Sequence, residues 1–175
     1  MADGPFDPEA RELIPKAPEK QDLLKLCSEL NSRGCRFVIV GGFAMIQSGL
    51  PRTTGDIDIL MDASLENEAR VFDALATLPD QCVRQLDPGD VGRFTVVRVA
   101  DEILVDLMAS ASGIDYVEAS KSMTIHEIEG VKIPFASPDL LYRMKKRSGR
   151  EKDRGDLYFL EQLFAAEGKQ PPKDL

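Results

Sequence analysis

Asp56-Ile57-Asp58-Ile59 is the most chemically suggestive stretch of the sequence. Along an extended strand, residues two apart point to the same side, with Cα atoms roughly 6.6 Å apart. Both carboxylates would then share one face, while Ile57 and Ile59 turn to the core. Two like charges on one face need compensation. A hard, oxygen-seeking cation such as Mg²⁺ supplies it, and paired carboxylates can bridge two ions about 3.5–4 Å apart. Taken alone, such a pair is more often two solvated residues on an edge strand. A third carboxylate, Asp106, sits inside the apolar run Ile103–Met108, where burial without a partner is costly. Its parity places it opposite Ile103, Val105 and Leu107. If its strand neighbours the Asp56 strand, Asp106 completes a three-carboxylate metal cluster.

Two further features could serve a phosphate ligand. Gly41-Gly42 falls at a strand-to-helix turn, where glycine lets backbone approach a ligand closely and free N–H groups attract anions. A lone Gly-Gly is usually a plain tight turn, and neither a P-loop nor a G-x-G-x-x-G fingerprint is present. From Arg143 to Arg154 the chain carries seven cations against Glu151 and Asp153, a local +5. Such runs are normally solvated helix faces. This one contradicts the charge of the whole chain and contains a Ser148-Gly149 break. Metal carboxylates, a backbone cradle and a basic strip are together what phosphoryl transfer requires.

The elements that must position these groups are legible in outline. Leu23, Leu24, Leu26, Cys27 and Leu30 recur at helical spacing, predicting a helix over Lys20–Ser32 with Gly34 as its stop. Arg36–Val40 reads as a strand buried on both faces. A short helix follows over Phe43–Ser48, then an alternating strand over Asp56–Met61 and a helix over Leu65–Leu78. Residues 82–86, 93–100 and 103–108 are expected to be strands, the last two joined by a turn at Asp101, with a small hairpin over Ile125–Ile133 around Glu129-Gly130. Ser137-Pro138-Asp139 is a helix start, leading to a helix ending near Arg147 and a last helix over Arg150–Glu167. The fold class is α+β with α/β-like order: a mixed sheet flanked by helices.

Length and composition bound the answer. The chain has 175 residues and a mass of 19.3 kDa, the size of one domain. Pro5, Pro8, Pro15 and Pro18 mark an irregular arm over 1–19, and GKQPPKDL a flexible tail over 168–175, leaving 20–167 as a single domain. The net charge of -8 argues against a general nucleic-acid coat but not against a local basic groove. Cys27, Cys35 and Cys82 have no metal-ligand spacing and read as reduced thiols. With no apolar stretch of membrane-spanning length and no signal-peptide pattern, the expected setting is cytoplasmic. His126, the single histidine, lies in the expected hairpin away from these motifs.

The spacing Val40-Gly41-Gly42, thirteen residues, Asp56-Ile57-Asp58-Ile59, then Val105-Asp106-Leu107 resembles the nucleotidyltransferase superfamily with the polymerase-beta-like palm. The segment from Gly41 to Asp62 also resembles the abortive-infection toxin-type nucleotidyltransferases and related bacterial proteins. Ala44, Arg52, Thr54, Asp56 and Asp58 match their approach to the carboxylates, and Lys145, Arg150, Lys152, Asp153 and Asp156 match a downstream basic element. The resemblance spans about residues 20–166. It implies transfer of a nucleoside monophosphate from an NTP to an acceptor, with pyrophosphate released. Asp56, Asp58 and Asp106 would be catalytic and would hold two Mg²⁺ ions, with Mn²⁺ as the alternative. Gly41, Gly42, Arg52, Thr54, Lys145, Arg150, Lys152 and Asp153 would bind the nucleotide. The acceptor stays open among RNA, protein and small molecule, and an antitoxin protein is an expected partner. A catalytically silent nucleotide-binding or regulatory module on the same fold is the alternative. Many superfamily members carry Ser where this chain has Gly42, which removes one hydroxyl contact to phosphate.

Overall fold

In the computed structural model, residues 14–173 are described. Most of the expected N-terminal arm (1–13) and the last two residues of the expected tail lie outside the described residues. The apolar run after Gly34 forms β1 (Phe37–Val40), buried at every position. β2 (Ile57–Met61) pairs antiparallel with β1, and β4 (Leu104–Met108) pairs parallel with β2. β3 (Val97–Ala100) folds back on β4. On the other side, β8 (Val131–Ala136) lies parallel to β1, and β7 (Met123–Ile128) closes that edge. The result is a six-stranded mixed sheet in the order β3-β4-β2-β1-β8-β7, in agreement with the expected fold class. β5 (Ser110–Ala111) and β6 (Ile114–Asp115) form a separate small ribbon that the sequence did not announce.

The helices follow their sequence signals. α1 (Lys20–Ser32) buries the predicted stripe, and a reciprocal capping box between Glu19 and Asp22 starts it. α2 (Gly41–Gln47) leaves β1 directly. α3 (Leu65–Leu75) is capped by Ser64. Its fully buried Asn67 accepts from the Arg36 N–H and donates to the carbonyls of Arg36 and Asp62, tying the start of β1 to the end of β2. α6 (Pro138–Ser148) begins at the Ser137 cap with Pro138 in its first turn and ends at Gly149 with φ +61°. α7 (Arg154–Ala166) packs against α6. Residues 14–19 are partly held: Lys16 bridges to Ile103 and its N–H donates to the Glu102 carbonyl at 2.8 Å. Among the described residues, no helix is long and apolar enough to cross a membrane.

Several local expectations are corrected. Residues 82–86 are not a strand: Cys82–Gln85 is a 3-10 turn, because the Asp80 and Cys82 N–H groups bond the buried Asp101 carboxylate instead of a neighbouring strand. The expected strand over 93–100 starts only at Val97. Before it stands α4 (Asp90–Arg93), whose Val91 N–H, with that of Gly89, donates to the buried Glu68 carboxylate. The helix expected to reach Leu78 stops at Leu75. The last helix does not run unbroken from Arg150: a 3-10 turn over Glu151–Asp153 precedes α7. The alternation predicted for Asp56–Met61 holds only in its first half, since Leu60 shares the parity of Asp58 yet is fully buried where α2 packs on β2. A further short helix, α5 (Tyr116–Ser120), follows the small ribbon.

Register is what this topology contributes to chemistry. Val40 stands opposite Asp58, Asp58 opposite Asp106, and Asp106 opposite Arg98. A slip of one residue would turn this row toward the core. The start of α2 is fitted to the row: Gly41 has φ +65°, and a Cβ there would stand 2.1 Å from Asp58 Oδ2. Gly41→Ala is therefore expected to destabilise by at least about 1–2 kcal/mol from left-handed backbone strain alone. Gly155→Ala, in α7 with open space around it, is expected to be neutral or stabilising by up to about 1 kcal/mol. Urea denaturation of the two variants measures the contrast.

Candidate active site

Asp56, Asp58, Asp106, Gly41, Gly42, Arg52, Thr54, Lys145, Arg150, Lys152 and Asp153, the candidate catalytic and nucleotide-binding residues, all line one cleft of about 350 Å³. Its floor is the carboxylate row. Oxygens of Asp56, Asp58 and Asp106 lie within 4.8 Å of one another. Asp56 precedes β2, Asp58 lies within β2 and Asp106 lies within β4. Ile57, Ile59, Val105 and Leu107, all fully buried, hold the alternate face as predicted. The donor set is entirely carboxylate oxygen and suits a hard divalent cation. Gly42 leaves room for Thr54: a Cβ would sit 2.3 Å from Thr54 Oγ1, and that hydroxyl donates to the Asp56 carbonyl at 3.2 Å. The Gly42 backbone amide favours the charged form of Asp58.

The opposite wall is a compensated ion network. Lys145, only 8% exposed, places Nζ 3.1 Å from Asp153 Oδ1 and 2.7 Å from Asp156 Oδ2. Arg52 Nη1 donates to both oxygens of Asp156, each at 2.8 Å. Arg150 Nε and Ser148 Oγ donate to Asp153 Oδ2 at 2.8 and 2.7 Å. Asp153 and Asp156 are both buried, so they hold the cations of the cleft in place. Burial opposes ionisation of Asp153, yet the hydrogen bonds from Arg150, Ser148 and Lys145 take its carboxyl down to about 2. Lys152 lines the cleft, exposed, and pairs with no carboxylate among the described residues. The remainder of the basic strip is partly spent elsewhere. Arg143 pairs with Glu118 and Arg154 with Glu151, so the local +5 overstates the charge that faces the cleft.

Arg98 escaped the sequence reading. It donates from Nε and Nη2 to the two oxygens of Asp106, at 2.8 and 2.7 Å, and from Nη2 to Asp56 Oδ2 at 3.0 Å. Two signals could have found it. Arg98 lies between Val97 and Val99 with the parity of an exposed residue, and a hairpin folded about Glu102 sets it against Asp106. Asp156, quoted in the basic motif but not counted among the candidates, is the hub of the wall. The ribbon β5–β6 adds Ala111 and Ser112 to the rim.

Asp58 is the electrostatically strained member of the floor. Burial, then the neighbouring Asp56 and Asp106 charges, push its carboxyl from 3.8 to about 7, against the Gly42 N–H and Lys145. A folded-state value above the unfolded one means stability that is full below about pH 4 and lost as pH rises through 7. Without divalent ions, Asp58→Asn should therefore melt progressively higher than the parent as pH rises from 4 to 8. Parallel melting profiles of the two proteins over that range would contradict this assignment.

The profile of the family described as nucleotidyl transferase of unknown function (DUF2204) matches residues 19–170. No curated protein matches the chain. A nucleotidyltransferase candidate from Thermotoga maritima, 20% identical, superposes with a TM-score of 0.54 over 82% of this chain and 92% of its own. An antigenic nucleotidyltransferase-like protein from Paracoccidioides brasiliensis, also 20% identical, covers 86% of this chain and 79% of its own with a TM-score of 0.49, too low to carry weight. The Thermotoga structure shows a shared fold, and the match over most of the length shows the family: the chain belongs to the nucleotidyl transferases of unknown function.

Proposed function

We propose that this chain is a divalent-metal-dependent nucleotidyltransferase that moves a nucleoside monophosphate from an NTP to an acceptor and releases pyrophosphate. The observation that carries the reading is a carboxylate floor facing a cation-lined wall across one cleft. Asp56 and Asp58 would hold both ions, and Asp106 would complete the site on the acceptor side. Mg²⁺ is the expected ion, two per site, with Mn²⁺ as the alternative. When bound, it supplies charge neutralisation at the transferring phosphoryl group and acidifies the attacking hydroxyl.

The remaining work falls to the chain's own groups. Lys145 and Arg52 are immobilised by Asp153 and Asp156, so they can meet the charge of a polyphosphate with little reorganisation. Arg150 stands beside them, and Lys152 is free to follow the ligand. Gly41 and Gly42 keep the backbone low enough for phosphate to approach, and Thr54 fixes the carbonyl of Asp56. The acceptor oxygen would bond to the α-phosphorus, the bond to the β-phosphate oxygen would break, and the acceptor proton would pass to a carboxylate, for which Asp106 is the candidate.

Residues 20–167 would act as one domain. The resemblance to abortive-infection toxins supports a role in a toxin–antitoxin pair or in phage defence, with RNA, protein or a small molecule as acceptor and an antitoxin as partner. A second reading, a catalytically silent nucleotide-binding module, is favoured by one observation: Arg98 already neutralises Asp106 and contacts Asp56.

Pyrophosphate release and label transfer from each α-labelled NTP, with Mg²⁺ and cell RNA or protein, separate the readings. Asp58→Asn and Asp106→Asn should each lower transfer by at least about 100-fold. NTP binding without release, unchanged in these variants, would favour the silent module. Lys152→Ala should weaken NTP binding by roughly fivefold while leaving the melting temperature unchanged, as expected for an exposed cation that pairs with no carboxylate among the described residues. Calorimetric titration with a non-hydrolysable NTP measures it.

A further inference from the structure

Three carboxylates brought together on a sheet repel one another, and Lys145 is engaged with Asp153 and Asp156 instead. Among the described residues, Arg98 is the cation that ion-pairs with this cluster. Its planar fork matches the two oxygens of Asp106 one to one, the arrangement in which a guanidinium binds a carboxylate best. The two partners differ in freedom. The Asp106 side chain is 9% exposed and fixed by its place in the central sheet, whereas that of Arg98 is 51% exposed on the edge strand β3. Arg98 can swing into solvent, where water hydrates its guanidinium; Asp106 cannot leave.

We propose that Arg98 is a positioning residue that acts as the metal-free site's own counter-cation, competing with the divalent ion for Asp106, so that ion binding and release of Arg98 are one event. This rests on the reading of the three carboxylates as a metal site. In the metal-free protein the fork keeps Asp106 aligned with Asp58 and offsets the repulsion within the row. Once an ion holds the same oxygens, the guanidinium is a second cation at the same carboxylate and is expelled. The affinity measured for the ion is therefore reduced by the work of displacing Arg98.

The full chain titrated with Mn²⁺, with free ion read by electron paramagnetic resonance, tests this. Arg98→Gln should bind Mn²⁺ at least about fivefold more tightly than the parent, with Arg98→Lys, which keeps charge but loses the fork, in between. Arg98→Gln should also melt below the parent in chelator, with the gap closing at saturating Mn²⁺. Equal or weaker Mn²⁺ binding by Arg98→Gln, with the parent still binding saturably, overturns the displacement and leaves the metal site standing. No saturable binding by either protein, or binding unchanged by Asp58→Asn, overturns the metal site and the displacement with it. Should Arg98→Gln not fold, Arg98→Lys decides alone: tighter binding supports the proposal and equal binding overturns it.

Discussion

Asp58 and Asp106 face each other at one register position on two neighbouring parallel strands. Like charges directly opposite on a sheet are destabilising, and here they lie in its middle, with Asp56 two residues away. The sequence accepts this repulsion and surrounds it. The Gly42 backbone amide favours the Asp58 charge, Arg98 grips Asp106 from β3, and glycines at 41 and 42 remove the side chains that would collide with Asp58 and Thr54. The chain's own groups offset the repulsion in this row only in part, which is why the row suits the divalent cation proposed above.

The two sides of the cleft are compensated by different physics. In the wall, buried lysine and carboxylates close on one another. Removing one partner there would strand a charge in a poor solvent, which typically costs about 3–5 kcal/mol. That network fixes the direction of Lys145 and Arg52. On the floor, compensation comes from a half-exposed arginine on an edge strand, a contact of the kind that contributes only about a kcal/mol. Buried Lys145 on one side and half-exposed Arg98 on the other would let the cleft keep its shape while its charge changes, if Arg98 is displaced as proposed.

The carboxylate floor was legible because strand parity needs only short-range information. The spacing of Asp56 and Asp58 against Ile57 and Ile59, and of Asp106 against Val105 and Leu107, is enough to assign faces. Helix starts such as Ser137-Pro138 and stops such as Gly149 act locally and were equally plain. What escaped depends on distant partners. Cys82–Gln85 becomes a turn because Asp101 captures the amides of Asp80 and Cys82, and the strand leading to Val97 is shortened because Glu68 caps α4. The basic strip read as free charge because Asp156 and Glu118 meet it only in the folded chain. Arg98 was overlooked although its hairpin register could be counted from the turn, since a single arginine between valines carries no chemical signature until its neighbour is known.

The central claim is that the floor holds divalent ions and the wall holds a polyphosphate. A crystal structure with Mn²⁺ and a non-hydrolysable NTP tests it most directly. The account predicts anomalous density ligated by Asp56, Asp58 and Asp106, phosphates against Arg52, Lys145 and Lys152, and the Arg98 guanidinium turned away from Asp106. A polyphosphate bound elsewhere, or no anomalous density between the carboxylates with Arg98 still paired to Asp106, would contradict it.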